Sequence, residues 1–265
     1  MTQHAALRAL KDEAASRFAR SGVPHRRIEA WHYTDLRSQL DAGLPPAGGY
    51  EGAVLRTADP FAGVAADVLV FTNGTYRADL SRVTAEPAIE IVALDDAAPE
   101  WARTALGAGG VSVMADLALA RMAGGVAIRV SHNFKAARPI HLVFLGKSTE
   151  PSARHSRVVV ELGTDAELTL LESHLAEGAA GFANLAFDLR LAANSRLTHL
   201  KVAGGVAGEQ HVATVVADIK AGALYDVAIA AGEGALARHE IHARLTQRMA
   251  KVRLTALSLL NGAQH

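Results

Sequence analysis

Glu240 and His242 are two residues apart in a segment that reads as a β-strand, so they share a face, with His239 and Ile241 on the other. A carboxylate beside an imidazole is the beginning of a divalent-metal site, and such a site needs a further ligand from an adjacent strand. His211, near the start of an earlier strand, is the residue placed to supply it. The commoner role for such side chains is exposed or hydrogen-bonded histidine, and no metal ligand is assigned here. The chain has 12 histidines; His155, His174 and His199 stand apart from other candidates and read as structural or solvated. There is no cysteine, which excludes thiolate nucleophiles, Cys-ligated zinc and a self-held iron–sulfur cluster within this sequence. The phosphate-loop, nucleophile-elbow, zincin and EF-hand patterns are missing as well. Glycine-rich pieces at 203–205 and 232–234 fall where the chain must reverse, not where a phosphate would sit. No catalytic or cofactor-binding residue is assigned.

The densest polar-aromatic stretch is His25–Arg37, HRRIEAWHYTDLR. Trp, Tyr and Arg are the types favoured at binding hot spots. They are also the types that anchor a helical head to the body of a protein. Intramolecular packing by Trp31 and Tyr33, with local ion pairs from Arg26, Arg27 and Glu29, is the preferred reading.

The elements that position these residues repeat. Four strand-rich segments, 154–173, 184–205, 211–233 and 238–262, each close one strand on an aliphatic residue (Leu162, Leu191, Ile219, Leu245). Each then turns and opens a second strand at Leu168, Leu197, Leu224 or Val252, anchors spaced by 29, 27 and 28 residues. One period earlier lies Ile140, in PIHLVFL. A fixed period with two strands and no helix per repeat predicts a stacked parallel β-helix, in which no repeat buries its apolar face alone. Low aromatic content (5%) with abundant Val, Leu, Ile and Ala suits a narrow solenoid interior.

Ahead of the array, residues 2–21 predict an amphipathic helix capped by Thr2, with Leu7, Leu10, Ala14 and Phe18 on one face and Gly22-Val23-Pro24 ending it. Residues 43–49 (GLPPAGG) read as a loop and hinge. A strand over 67–72 runs into Asn73-Gly74, a hairpin signal, with a return through Thr75–Arg77. A strand over 89–94, helices around 99–106 and 112–122, and a first array strand opened by Gly124-Gly125 complete the pattern. The expected fold is mainly β: a right-handed parallel β-helix over 125–265, preceded by a helical region over 1–48 and a mixed α/β head over 49–124. The final residues, Leu259–His265, finish a strand and a turn without a cap. That predicts cover by another chain or a longer protein, of which the longer protein is preferred, with self-association through the exposed rung near Leu254–Leu260.

Lysine plus arginine balances aspartate plus glutamate at 27 each, so no global field draws nucleic acid or an anionic membrane. The N-terminus has no apolar run of signal-peptide or membrane-span length, which makes a cytoplasmic location the expectation.

The string RRIEAWHYTDLRSQL (26–40) closely resembles the N-terminal signature of the SufB/SufD family, with Arg27, Glu29, Trp31, Tyr33, Thr34 and Leu36 at the matching positions. FTNGTYRADLS (71–81) and PIHLVFL (139–145) resemble further elements of that family, nearer its SufD-like branch. The resemblance implies a non-catalytic scaffold in a cytoplasmic machine that assembles iron–sulfur clusters, partnered by a SufB-like scaffold and a SufC-like ABC-type ATPase. The cluster would form at the partner interface rather than on this chain alone. It also implies a C-terminal helical domain that binds the ATPase and a histidine used in cluster assembly; both fall beyond His265, so no residue role is carried over. Two alternatives remain from the residues themselves. One is a β-helix carbohydrate-active enzyme, whose acidic residues (Asp165, Asp188, Asp218, Asp226) are here scattered over the rungs. The other is a β-solenoid that polymerises end to end.

Overall fold

The computed structural model describes residues 3–37, 43–50, 59–95, 97–232 and 234–261. The chain forms a β-solenoid of about five turns preceded by an N-terminal helix. The long helix α1 (Gln3–Ser21) buries Leu7 and Ala14, with Leu10 and Phe18 partly covered, and stops where Gly22 adopts φ 71° and returns its N–H to the Phe18 carbonyl (2.8 Å). Thr2, expected as its cap, lies outside the described residues, as do residues 38–40 at the end of the signature string. A short 3-10 helix spans Glu29–Trp31.

Strands β1 (Asp67–Thr72) and β2 (Thr75–Arg82) form the expected hairpin, with Asn73 and Gly74 both at positive φ, as a tight two-residue turn requires. β3 (Ile89–Ala93) is followed by helices α2 (Glu100–Leu106) and α3 (Val113–Arg121). Ten further strands make the rungs: β4 (Gly124–Val130), β5 (Ile140–Ser148), β6 (Ala153–Leu162), β7 (Glu167–Gly178), β8 (Phe182–Leu191), β9 (Arg196–Ala203), β10 (Gln210–Ile219), β11 (Leu224–Ala231), β12 (Leu236–Leu245) and β13 (Lys251–Ser258).

They sort into two facing sheets, β13-β11-β9-β7-β5-β1-β2 and β12-β10-β8-β6-β4-β3. Each strand pairs in parallel with the strand one rung away, in unbroken register; Leu162, Leu191, Ile219 and Leu245, for example, stack in one column. At the N-terminal end both sheets are closed by antiparallel strands, β2 on β1 and β3 on β4. β1 itself is hydrogen-bonded in parallel to β5, so it belongs to the first sheet of the solenoid.

Alternation fixes what faces inward. Val158, Val160 and Leu162 of β6 meet Leu168 and Leu170 of β7, and Leu185, Phe187, Leu189 and Leu191 of β8 meet Leu197 of β9, in one continuous apolar core. The outer face of the second sheet is covered by the helices. Alanines 115 and 118 of α3 lie on Ala186 of β8, with Val216 of β10 beside them; small side chains let helix and sheet approach closely. Arg17 of α1 holds Asp116 of α3 at 2.8 Å, tying the helical layer together. Each rung turns one corner through a residue in the left-handed region: Asn133, Asp165, Asn194, Gly222 and Met249. Their N–H groups bond across to the next rung from Asn133 to Thr164, Asp165 to Ala193, Asn194 to Ala221 and Gly222 to Arg248. Asn, Asp and Gly tolerate that conformation; Met does not. Among the described residues no helix is long and apolar enough to cross a membrane.

Candidate functional site

The interior of the solenoid is not apolar throughout. Along β7 the inward positions read Leu168, Leu170, Glu172, His174; along β9 they read Leu197, His199, Lys201, Ala203. The register sets Glu172 against Lys201, one rung apart. Facing them from the second sheet are Arg154 of β6, His211 of β10 and His239 of β12. One end of the same interior is therefore filled by aliphatic side chains and the other by ionisable ones.

Glu172 is fully buried and is the hub. Its Oε1 accepts from Lys201 Nζ at 2.7 Å and from His174 Nε2; its Oε2 accepts from His199 Nε2 at 2.8 Å. With Nε2 of His199 donating, its Nδ1 is the acceptor for the Tyr225 hydroxyl at 3.1 Å. Lys201 Nζ also reaches His211 Nε2 at 3.1 Å. The His211 ring lies 4.3 Å from that of His174 and 5.5 Å from that of His239, measured between centroids. Beside this network Arg154 pairs with Glu209 at 2.5 Å. Phe144, Arg154, Ser156, His174, Glu209 and His211 border a cavity of about 30 Å³, enough for water.

The electrostatics follow from burial and from one fixed charge pair. Burial alone would raise the Glu172 carboxyl, but Lys201, His174 and His199 outweigh it and hold it well below the usual carboxylate range. Burial lowers Lys201, and Glu172 partly offsets that. Burial, reinforced by Lys201, pulls His174 down to about 4 and His239 down to about 3, and puts His211 well below its ordinary value. The site is thus one buried carboxylate–ammonium pair beside the neutral imidazoles of His174, His211 and His239. The Lys201 ammonium sits where a cation bound by Glu172 and His211 would have to sit. Among the described residues no group of histidines and carboxylates is disposed to hold a metal ion.

The residues singled out in the sequence are distributed differently from the metal hypothesis. Glu240 and His242 do share the outer face of β12, with Oε2 and Nε2 3.9 Å apart, but Glu240 is taken up by Arg238 (2.8 Å) and Ser112 (3.1 Å). His211 points to the interior and meets His239, not that pair. His174 and His199 are not isolated: both bond to Glu172. His155 is buried elsewhere, near Asn184 (3.3 Å), and burial with Arg121 nearby lowers it to about 3. Glu172 and Lys201 were not singled out by sequence reasoning, although their signal is there: both stand four residues beyond the second-strand anchors Leu168 and Leu197, on the inward parity.

In the signature segment, Trp31 is 6% exposed and packs with Leu36, Met114, Leu117, Phe182 and Val212. The Arg238 guanidinium lies 3.9 Å from its ring centroid and donates to the Ala30 carbonyl at 2.5 Å. The segment thus ties the head to β12. Tyr33 has no part in this anchoring; it is 90% exposed. Asp35, not Glu29, collects the local arginines, Arg37 at 2.5 Å and Arg26 at 3.9 Å.

Residues 144–265, from the end of β5 through the rungs that carry the buried network, match the family model described as SUF system FeS cluster assembly, SufBD core domain. Over these residues the chain is similar to the SufBD family. An iron-sulfur cluster assembly SufBD family protein of Synechocystis sp. is 28% identical over 263 residues, covering 91% of this chain and 57% of its own length. The iron-sulfur cluster assembly protein SufD of Escherichia coli is 26% identical over 193 residues, covering 69% of this chain and 43% of its own length. The chain spans about half the length of the curated relatives it matches. The core match begins at Phe144 in β5, whose ring stacks on that of His174 in the polar part of the interior.

Proposed function

We propose that this chain acts as a non-catalytic scaffold in cytoplasmic iron–sulfur cluster assembly, pairing with a SufB-like scaffold and served by a SufC-like ATPase. The observation that carries the reading is the SufBD core match, which falls on the rungs β6–β13 and the end of β5. The absence of cysteine supports a division of labour in which the partner supplies thiolate for the nascent cluster. The in-register rungs support a rigid platform: parallel pairing on both sides of nearly every strand leaves little freedom to deform.

The test is affinity capture of the tagged chain from cells that contain the SUF proteins, with co-purifying proteins identified by mass spectrometry. The expected result is a SufB-like scaffold together with its ATPase, and loss of cluster delivery to an acceptor apoprotein when the chain is omitted from a reconstituted mixture. Capture of neither partner, with cluster delivery unchanged on omission, overturns the reading.

A further inference from the structure

A second cavity, of about 320 Å³, lies between the head and the start of β6. Its walls are Leu44, Pro46, Ala47, Ala123 and Ala153. The backbone fixes one of them: Ala153 N–H donates to the Pro45 carbonyl at 2.8 Å, and Ala47 N–H to the Ala153 carbonyl at 2.9 Å. Two successive prolines, Pro45 and Pro46, stiffen that segment. Asn73 also borders the cavity, but its amide is already engaged. It donates to the Gly48 carbonyl at 2.7 Å and the Lys147 carbonyl at 2.8 Å, and accepts from the Lys147 N–H at 2.8 Å. This cavity is separate from the polar interior: successive residues of β6 point to opposite faces, so His155 looks outward where Arg154 looks in.

Two donors bordering this cavity are left over. His155 is 4% exposed, and its Nε2 is buried without a partner among the described residues. Asn184 Nδ2 donates to the Met114 carbonyl at 3.0 Å and lies 3.3 Å from His155 Nδ1, so Nδ1 accepts and Nε2 carries the proton. Burial, with the Arg121 charge nearby, holds His155 at about 3, so near neutral pH it offers an N–H and no charge. Arg121, the last residue of α3, is exposed and has no ion pair or hydrogen bond among the described residues. The Met122 carbonyl at that helix end is taken by Lys11 Nζ instead, at 3.1 Å. One charged and one neutral donor match the two oxygens and single negative charge of a carboxylate. A phosphate dianion would leave oxygens against alanine and proline without partners. Mostly apolar walls with a few polar groups are the usual make-up of a small-molecule pocket, and this volume is at the small end of the range. We propose that the cavity binds a small aliphatic monocarboxylate, its carboxylate held by Arg121 and His155 and its tail against Leu44, Pro46 and the alanines. Such a site is independent of the cluster-assembly role.

The test is a titration of the intact, isotope-labelled chain with hexanoate, following the histidine side-chain resonances by NMR. The signal of His155 is assigned by its loss in His155→Phe, and hexanamide, acetate and inorganic phosphate serve as comparison ligands. Hexanoate is expected to shift the His155 Nε2 resonance. It is also expected to bind about tenfold more tightly than hexanamide, which keeps the tail without the charge, and than acetate, which keeps the charge without the tail. Arg121→Gln, a change at an exposed side chain, is expected to weaken hexanoate binding about tenfold while leaving the thermal melt unchanged. Hexanamide or phosphate binding as tightly as hexanoate, no shift at His155 at saturating or millimolar hexanoate, or full affinity in Arg121→Gln overturns the proposal.

Discussion

Leu170 and Glu172 are neighbours on the inner face of β7, two residues apart and both fully buried, yet they belong to two different interiors. Around Leu170 the neighbours are mostly apolar, with His199 beside it in register, and the energy is chiefly that of area removed from water. Around Glu172 it is that of charge kept only because Lys201, His174 and His199 satisfy it. Stacked rungs alone do not demand the second environment, since aliphatic ladders fill the rest of the same sheets. The polar end is a feature retained beside a packing solution that would have sufficed, and this sets it apart as a site.

Acid breaks the comparison most completely. His155, His174, His211 and His239 all have folded-state values below the ordinary 6.5, so the unfolded chain binds more protons than the folded one as pH falls. Their stabilising contribution is fully present above about 6.5 and is lost on descent from there, towards about 4 for His174 and about 3 for His155 and His239. Glu172, held low, adds loss of the same sign below about 4.5. Asp188 and Glu209, raised first by burial, run the other way and soften the fall. Thermal melts between pH 7 and pH 4 are expected to show a steep decline that begins near 6.5; a flat profile down to pH 5 contradicts the neutral-imidazole interior.

Single substitutions on β7 separate the two regions. Glu172→Leu leaves the Lys201 ammonium buried without its carboxylate and is expected to destabilise by about 3–5 kcal/mol in urea unfolding. Leu170→Ala, one inward position away, opens a cavity instead and is expected to cost about 3 kcal/mol. The two differ in pH dependence: the cavity variant keeps the wild-type profile, whereas the charge variant recovers part of its loss at high pH, where Lys201 sheds its proton. Identical pH profiles for both would mean that Glu172 acts by volume alone.

Much of this was legible in the residues. The second-strand anchors Leu168, Leu197, Leu224 and Val252 all lie in first-sheet strands, and Asn73-Gly74 is the hairpin turn. Periodicity and turn chemistry are local, so they survive in a single sequence. The cluster was harder to see because its members come from β7, β9, β10, β11 and β12, and only the rung register brings them together. Treating His174 and His199 as isolated followed from reading along the chain instead of across it. Tyr33 misled for a related reason: its type matches that of Trp31, but only Trp31 meets the face offered by Met114, Leu117 and Phe182.

The aliphatic end has a defect of its own at a corner. Met249 occupies the left-handed position that Asn133, Asp165, Asn194 and Gly222 fill on earlier rungs, at φ 59° and 71% exposed. Met249→Asn is expected to stabilise by about 1 kcal/mol, seen as a higher urea midpoint with an unchanged slope. A neutral or destabilising outcome would mean that Met249 is held by contacts that outweigh its strain.

The smallest expected change in stability comes from the most informative variant. Glu172→Leu combined with Lys201→Met carries the aliphatic pattern of Leu168 and Leu170 into the polar end, removing both charges together. Replacing a buried ion pair by apolar residues of similar volume is often neutral or stabilising, by about 1–4 kcal/mol. Here His174, His199 and His211 each lose a hydrogen-bond partner, which offsets that gain at about 1 kcal/mol per bond, so the net change is expected to be close to zero. Unfolding midpoints near wild type, together with lost capture of the partner scaffold or lost cluster delivery, would show that the polar end is kept for what it does. Wild-type stability with wild-type delivery would reduce it to one of two equivalent ways of filling the same rungs.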